Sequence, residues 1–195
     1  MAVAAHHLET STGLDNRKLL MWLFLSSDCL FFGSFIAAYL LYRDRSVVGP
    51  FPADVFDIPF TSVSAFVLLM SSVSMVLALA AIQKGDRRGL QIWLFATATL
   101  GILFISGQAY EFTQFYHEGV SLHGNLFGTT FFVLTGFHGA HVTVGILILL
   151  SLFAMTLQGK ITQADSLNVE LAGLYWHFVD IVWIIIFTMV YLIQP

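Results

Sequence analysis

The sequence predicts an all-α membrane protein whose five transmembrane helices form one bundle. Of its 195 residues, 57% are hydrophobic and only 10% are charged, a composition far from that of soluble domains. Five apolar runs each reach the ~20 residues that an α-helix needs to cross a bilayer. The remaining residues are too few for a further domain of ordinary size outside the membrane.

The predicted spans follow from these apolar runs and from the turn residues between them. Gly and Pro interrupt the chain at residues 49–52 and 59, a charged turn covers residues 84–89, and Gly159 opens the last connection. Residues 1–17 show no apolar period and are predicted to be a flexible tail, so the membrane domain is residues 18–195. The five predicted spans are residues 19–42, 61–82, 90–111, 126–157 and 171–193.

Lysine and arginine residues near the ends of the spans predict the orientation, because short cytoplasmic loops are richer in these residues. Six lie on the amino-terminal side of the predicted bundle, and two lie on the opposite side. The six are Arg17, Lys18, Lys84, Arg87, Arg88 and Lys160, and the two are Arg43 and Arg45. The amino terminus is therefore predicted inside the cell and the carboxyl terminus outside.

Two features of the composition argue against whole classes of function. The net charge is -4 and no basic cluster is present, which gives no support for binding to nucleic acid. Cys29 is the single cysteine, so the sequence has neither an internal disulfide nor a cysteine-ligated iron–sulfur cluster, and it lacks the Cys-x-x-Cys-His site of c-type haem.

The last span carries two ionisable residues, His177 and Asp180, in an otherwise apolar helix. A charge at the bilayer centre costs roughly 3 kcal/mol on insertion scales, so these groups need partners. Their separation of three positions puts both on one helix face, with Trp176 and Trp183 on a neighbouring stripe. We expect this face to look into the bundle and to make interior polar contacts.

The fourth span carries a second polar face, formed by His138 and His141. Gly136, Gly139 and Gly145 lie in the same stretch and remove side-chain bulk, which lets the backbone of a neighbouring helix approach. The favoured interpretation is hydrogen bonding between the fourth and fifth spans.

A metal held between these two faces is the alternative, and it would make the chain a stand-alone membrane metalloenzyme. Carboxylate-bridged two-metal bundles use Glu-x-x-His pairs on two helices, and no such pair occurs in any span, so we predict no metal. A small proton-coupled transporter built around midplane acids is a further alternative. The spans show neither an inverted repeat nor a broken helix pair, which disfavours it.

Three acidic residues at or within the spans each have two interpretations. Asp28 lies near the middle of the first span and is either a hydrogen-bonded packing residue or a carboxylate that handles protons. Glu111 ends the third span and is either an anchor near the interface or part of a proton path; we place it among the interior polar contacts. Glu170 either stabilises the start of the fifth span or, with Trp176 and Trp183, forms part of a lipid or subunit interface.

Five sequence blocks, in order along the membrane part, carry a family resemblance. They are Ser27–Phe32 (SDCLFF), Leu68–Ser72 (LLMSS), Leu100–Phe104 with Gln108–Phe112 (LGILF and QAYEF), Phe131–Val142 (FFVLTGFHGAHV), and Glu170 with Tyr175–Trp183 (YWHFVDIVW). On these residues the sequence resembles subunit III of the haem-copper terminal oxidases, in the five-helix form found in bacteria. The last two blocks are highly specific, whereas the first three alone would be weak.

The resemblance implies an accessory role in the bacterial inner membrane. Relatives of this kind hold no haem and no copper, which reside in the partner subunits. They bind the flank of subunit I, in a complex that also contains subunit II. They hold ordered phospholipid, help to sustain proton uptake and protect the active site from inactivation during turnover.

One departure from the family pattern concerns the proton-related residue and the electron donor. Many cytochrome c oxidases carry a glutamate in the first shared helix, where this sequence has Asp28. The triplet Ser27–Cys29 is similar to quinol oxidases, whereas Thr135–Gly139 and the Glu170 block are similar to cytochrome c oxidases. We therefore expect a subunit III of the cytochrome c oxidase type, with a quinol oxidase as the alternative and Asp28 as the candidate for influencing proton entry.

Overall fold

The computed structural model describes residues 13, 15–45, 56–120 and 126–193, and within these residues the chain is helical and contains no strand. Five helices are long and apolar enough to cross a membrane, which confirms the predicted fold class. They are α1 (Asn16–Tyr42), α2 (Ile58–Gln83), α3 (Arg87–His117), α4 (Leu126–Leu157) and α5 (Ser166–Ile186). Most of the predicted tail, residues 1–12 and 14, lies outside the described part.

Aspartate caps determine where the first three helices begin. Asp15, Asp57 and Asp86 each accept a backbone N–H from the first turn of the helix that follows, at 2.8, 3.1 and 3.0 Å. The helices accordingly begin at residues 16, 58 and 87, whereas the apolar runs predicted 19, 61 and 90. The caps satisfy backbone donors that the first turn would otherwise leave without a partner.

The fifth span changes helix type towards its carboxyl end. A 3₁₀ turn (Gln163–Asp165) leads into α5, which then continues as a π-helix over Phe187–Leu192. The Arg43 side chain, just after α1, donates to the carbonyl oxygens of Met189 (3.4 Å) and Ile193 (2.7 Å) at the end of this segment. The Arg43 guanidinium group is therefore a cationic partner for the last carbonyl groups of the π-helix.

Helices α2 to α5 form the body of the bundle, and α1 lies at its side. The contact between α2 and α3 is the most extensive, whereas α1 packs mainly on α4 and α5. Only Leu25, Phe32 and Tyr39 of α1 are buried, at intervals of seven residues. This spacing corresponds to a single line along one helix face, and most other residues of α1 are exposed in the isolated chain.

Large apolar side chains cover the outside of the bundle. Leu20, Leu23 and Leu30 of α1 are 71%, 63% and 79% exposed, and many others on all five helices are similarly open. A surface this apolar is unfavourable in water and suits a hydrocarbon environment. Together with the five long helices, it identifies the chain as a multi-pass membrane protein.

Candidate functional site

Asp28 of α1 faces His141 of α4 at the junction between α1 and the body of the bundle. Asp28 Oδ2 lies 3.8 Å from His141 Nε2, and both side chains are mostly buried. His141 Nδ1 is 2.7 Å from the carbonyl oxygen of Phe137, one turn earlier on its own helix. Because a carbonyl oxygen can only accept, Nδ1 carries a hydrogen and Nε2 is the nitrogen that faces Asp28. At 3.8 Å the two atoms do not form a direct hydrogen bond, and Asp28 Oδ2 has no hydrogen-bond partner among the described residues.

Aromatic residues of α1 and α5 surround this pair. Phe32 lies edge-on to the His141 ring, with ring centroids 4.9 Å apart, and Phe31 lies 6.1 Å away. The Tyr175 hydroxyl of α5 donates to the backbone carbonyl oxygen of His141 at 3.0 Å. The structure therefore holds the pair at a point where α1, α4 and α5 meet.

An apolar groove begins beside the pair and extends towards the amino-terminal end of the bundle. Its volume is about 570 Å³, and it lies between α1, α4 and α5. Its lining residues are Met21, Phe24, Phe137, Ala140, His141, Val144, Ile148, Leu152, Asn168, Leu171, Ala172 and Tyr175. From Phe137 to Leu152 the groove follows α4 for about 22 Å, at the ~1.5 Å rise per residue of an α-helix.

Charged and polar groups lie at the amino-terminal end of the groove. Lys18 Nζ is 2.5 Å from the Glu170 carboxylate, and Arg17 donates to the Asn168 side chain at 3.4 Å. Arg17 also lines a second groove of about 540 Å³ that shares Met21, Phe24 and Leu171 with the first. Hydrogen bonds from the Arg17 side chain and backbone lower the pKa of Asp15, which lies just before α1.

The two polar residues of α5 face α2. His177 Nδ1 lies 2.6 Å from the Ser72 hydroxyl. Asp180 is only 3% exposed, and neither of its carboxylate oxygens has a hydrogen-bond partner among the described residues. The Ser72 hydroxyl is thus the partner of His177 and not of Asp180.

His138 lies inside the bundle and away from His141. Its ring is fully buried and stacks on the Trp183 ring, with centroids 5.0 Å apart and an interplanar angle of 23°. Neither ring nitrogen has a hydrogen-bond partner in the described part of the chain. The two histidines of this helix therefore face different surroundings, although they lie three positions apart.

The two tryptophans of α5 do not lie at a surface, where the prediction of a lipid or subunit interface would put them, because both rings are buried in the bundle. Trp176 is completely buried, and its Nε1 donates to the Ser71 hydroxyl at 2.9 Å. Gly101 and Gly145 leave the space for its ring: a β-carbon at either position would lie 2.6 or 2.8 Å from ring atoms. Trp183, which is 2% exposed, packs on the edge of Phe104.

Glu111 lies towards the opposite end of the bundle and is 6% exposed. Its Oε1 is hydrogen-bonded to the Thr61 hydroxyl of α2, and the Tyr191 hydroxyl is 3.5 Å from its Oε2. Tyr191 belongs to the π-helical segment, a helix type that is often found at functional sites. Glu111 is thus an interior group and is not open to water as an interfacial anchor would be.

Hydroxyl groups are the partners that the sequence analysis did not single out. Thr61, Ser71, Ser72 and Tyr175 each bind one of the predicted polar or tryptophan residues. The signal was present in α2, where Ser71, Ser72 and Ser74 follow one another within an apolar run. Such clusters are typical of helix–helix contacts in membranes.

The predicted polar residues do not converge on one centre. Asp28 with His141, His177 with Ser72, and Glu111 with Thr61 form separate contacts. Within residues 15–45, 56–120 and 126–193, no group of three or more His, Cys, Asp or Glu side chains is arranged to hold a metal ion. The arrangement thus contains buried titratable groups at several levels of the bundle.

Comparison with known proteins gives this fold a family. The family model described as "Cytochrome c oxidase subunit III" matches residues 2–194. "Cytochrome c oxidase subunit 3" of Synechocystis sp. is 41% identical over 183 residues, which cover 92% of this chain and 76% of that protein.

Two further relatives cover most of both chains. "Quinol oxidase subunit 3" of Bacillus spizizenii is 35% identical, over 88% of this chain and 84% of its own length. "Cytochrome c oxidase subunit 3" of Thermostichus vulcanus is 36% identical, over 98% and 94%. The extent of these matches shows that the chain belongs to the cytochrome c oxidase subunit III family.

Proposed function

We propose that this chain is the accessory subunit III of a proton-pumping haem-copper oxygen reductase in a bacterial inner membrane. It binds the flank of subunit I, in a complex that contains subunit II, and it leaves the haem and copper chemistry to those partners. The family match over nearly the whole chain supports the subunit assignment. The observation that carries the functional role is the Asp28–His141 pair beside an apolar groove.

The pair supports proton supply to the partner subunit. Oδ2 of Asp28 and Nε2 of His141 face each other at 3.8 Å, and a carboxyl group and an imidazole can each carry a proton. A carboxylate and an imidazole inside a membrane helix bundle are expensive to bury, and such residues commonly mark proton relays. Helix α1, which carries Asp28, contacts the body of the bundle through a single line of buried residues. The pair at this contact therefore lies close to the surface that a partner can reach.

The groove supports the binding of phospholipid. Its apolar length along α4 suits an acyl chain, and Arg17 and Lys18 at its amino-terminal end suit a phosphate headgroup. Glu170, which we predicted at a lipid interface, holds Lys18 at this end. A lipid in the groove fills the space between α1 and α4 and thereby stabilises the contact between Asp28 and His141.

The arrangement of charges supports an amino terminus on the inside. Lys18 meets Glu170 at the start of α5, and Arg87 donates to the carbonyl oxygens of Thr156 and Leu157 at the end of α4. These contacts place the starts of α1, α3 and α5 at one end of the bundle, together with most of the Lys and Arg residues. The excess of positive charge at that end is typical of the cytoplasmic side.

The substitution Asp28→Asn tests the role in proton supply. Asn removes the titratable group and keeps the size of the side chain, so we expect normal assembly but slower proton-coupled turnover or a shorter working life of the purified complex. Asp86→Asn is the matched control, because it makes the same chemical change at a helix cap where Asn serves equally well. If Asp28→Asn has the turnover and lifetime of the control, the pair has no part in proton supply.

The electron donor is tested by the substrate that the purified complex oxidises. The relative with 41% identity is a cytochrome c oxidase subunit, and quinol oxidase subunits follow at 34–37% identity. We therefore propose cytochrome c as the donor. Rapid oxidation of reduced cytochrome c supports this assignment, whereas oxidation of a quinol alone would assign the complex to the quinol oxidases.

A further inference from the structure

Four side chains in the middle of the bundle carry polar atoms without a hydrogen-bond partner in the described part of the chain, and together we call them the buried polar layer. They are Gln108 of α3, His138 of α4, and Asp180 and Trp183 of α5. All four are between 0 and 7% exposed. Gln108 Oε1, both His138 ring nitrogens, both Asp180 carboxylate oxygens and Trp183 Nε1 have no hydrogen-bond partner among the described residues.

Direct contacts or neighbouring positions link His138, Trp183 and Gln108. The rings of His138 and Trp183 are stacked, with nearly parallel planes at an angle of 23°. The Gln108 amide occupies the space beside Gly139, where a β-carbon would lie 2.7 Å from Oε1, and Gly139 follows His138 directly. Its amide nitrogen donates to a backbone carbonyl oxygen of α4 at 2.7 Å, which leaves Oε1 as the unpaired atom. Asp180 precedes Trp183 by one helical turn.

Unpaired polar atoms are rare inside proteins and are costly where hydrocarbon surrounds the bundle. The indole N–H of Trp183 can only donate, Gln108 Oε1 can only accept, and a neutral His138 ring offers one donor and one acceptor. Water can donate twice and accept twice, so it can pair with all of these groups, and buried waters in proteins usually make about three such bonds. We propose that the buried polar layer is a hydration site that binds ordered water inside the bundle.

The layer lies next to the other buried titratable groups of the body. His177 precedes Asp180 by one turn of α5 and is hydrogen-bonded to Ser72. Glu111 follows Gln108 by one turn of α3 and is hydrogen-bonded to Thr61. Water bound beside the stacked rings of His138 and Trp183 therefore lies about one helical turn from Asp180 on α5. This inference concerns the interior of the chain and does not rest on the proposed function.

The two buried tryptophans of α5 provide a matched comparison within one molecule. Trp176 and Trp183 are equally inaccessible from outside, but the indole N–H of Trp176 is bonded to Ser71 and that of Trp183 belongs to the layer. X-ray radiolysis of the purified complex in isotopically labelled water produces hydroxyl radicals from bound waters, and these radicals oxidise adjacent rings. We expect labelled oxygen to enter Trp183 several times faster than Trp176, and equal rates would overturn the proposal.

A substitution tests whether the layer itself holds the water. His138→Phe keeps a ring against Trp183 and removes both nitrogens, so labelling of Trp183 should fall towards the rate of Trp176. His117→Phe makes the same change at an exposed position at the end of α3, outside the layer, and should leave Trp183 labelling as in the unaltered chain. Undiminished labelling in His138→Phe would contradict the proposal. If that variant does not assemble, the comparison of the two tryptophans in the unaltered complex still decides the question.

Discussion

Replacing Gly145 by alanine should destabilise the bundle, because it places a methyl group inside the space of the Trp176 ring. The new β-carbon would lie 2.8 Å from two ring atoms and 3.3 Å from the Tyr175 ring. Carbon atoms pack at about 3.5–4.0 Å, so the indole ring would have to retreat by roughly 1 Å. Trp176 is fully buried and bonded to Ser71, and the opposite side of its ring faces Gly101.

The size of the expected destabilisation depends on the lack of free space into which the Trp176 ring could move. Overpacking of a well-packed core typically costs about 1–3 kcal/mol, and the gain in helix propensity from glycine to alanine offsets at most about 1 kcal/mol. Gly136→Ala on the same helix is the matched control, because a β-carbon there meets nothing within 4 Å. We expect thermal denaturation of the purified complex at a lower temperature for Gly145→Ala than for Gly136→Ala. If the two variants are equally stable, the tryptophan is not confined as described.

Two further substitutions test polar contacts between helices. Ser72→Ala removes the hydroxyl that lies 2.6 Å from His177 Nδ1, and it should lower the free energy of unfolding by about 1–3 kcal/mol in a thermal assay. The control is Ser106→Ala, which should be close to neutral because the Ser106 hydroxyl is bonded to a carbonyl oxygen of its own helix. Arg87→Gln removes a guanidinium group that donates to the last carbonyl oxygens of α4, and it should lower the free energy of unfolding by about 1–2 kcal/mol. Arg88→Gln, at the exposed neighbouring position, should have no measurable effect. Equal losses of stability in the two variants would refute this contact.

The number of helices and both ends of α4 were predictable from the sequence, but the starts of α1, α2 and α3 were not. Hydropathy reports which residues favour lipid, and it identified five spans correctly. Helical hydrogen bonding continues beyond the apolar run until a cap ends it, so Asp15, Asp57 and Asp86 move three helix starts outwards. The π-helix at Phe187–Leu192 depends on contacts with other helices, including Arg43, and leaves no mark on the local sequence.

The candidate site was predictable as a set of residues and not as a set of contacts. A charge in an apolar run stands out, which is why Asp28, His141 and Asp180 could be named from the sequence. Periodicity shows which residues share a face and not which helix that face meets. His138 and His141 are three positions apart, yet one stacks on Trp183 and the other faces Asp28. Small rotations of a helix decide between such environments, and packing of all five helices sets these rotations.

The attachment of α1 explains why the Asp28–His141 pair is found at its centre. In a bilayer, lipid tails are as apolar as leucine, so burial of apolar surface gives little reason for one helix to join another. Its single line of buried residues, Leu25, Phe32 and Tyr39, is therefore a weak attachment by itself. Polar contacts hold α1 at three levels instead: Lys18 at one end, the pair in the middle, and Arg43 at the other end. The pair is therefore one of three polar contacts that hold α1 against the body of the bundle, and it lies beside the groove.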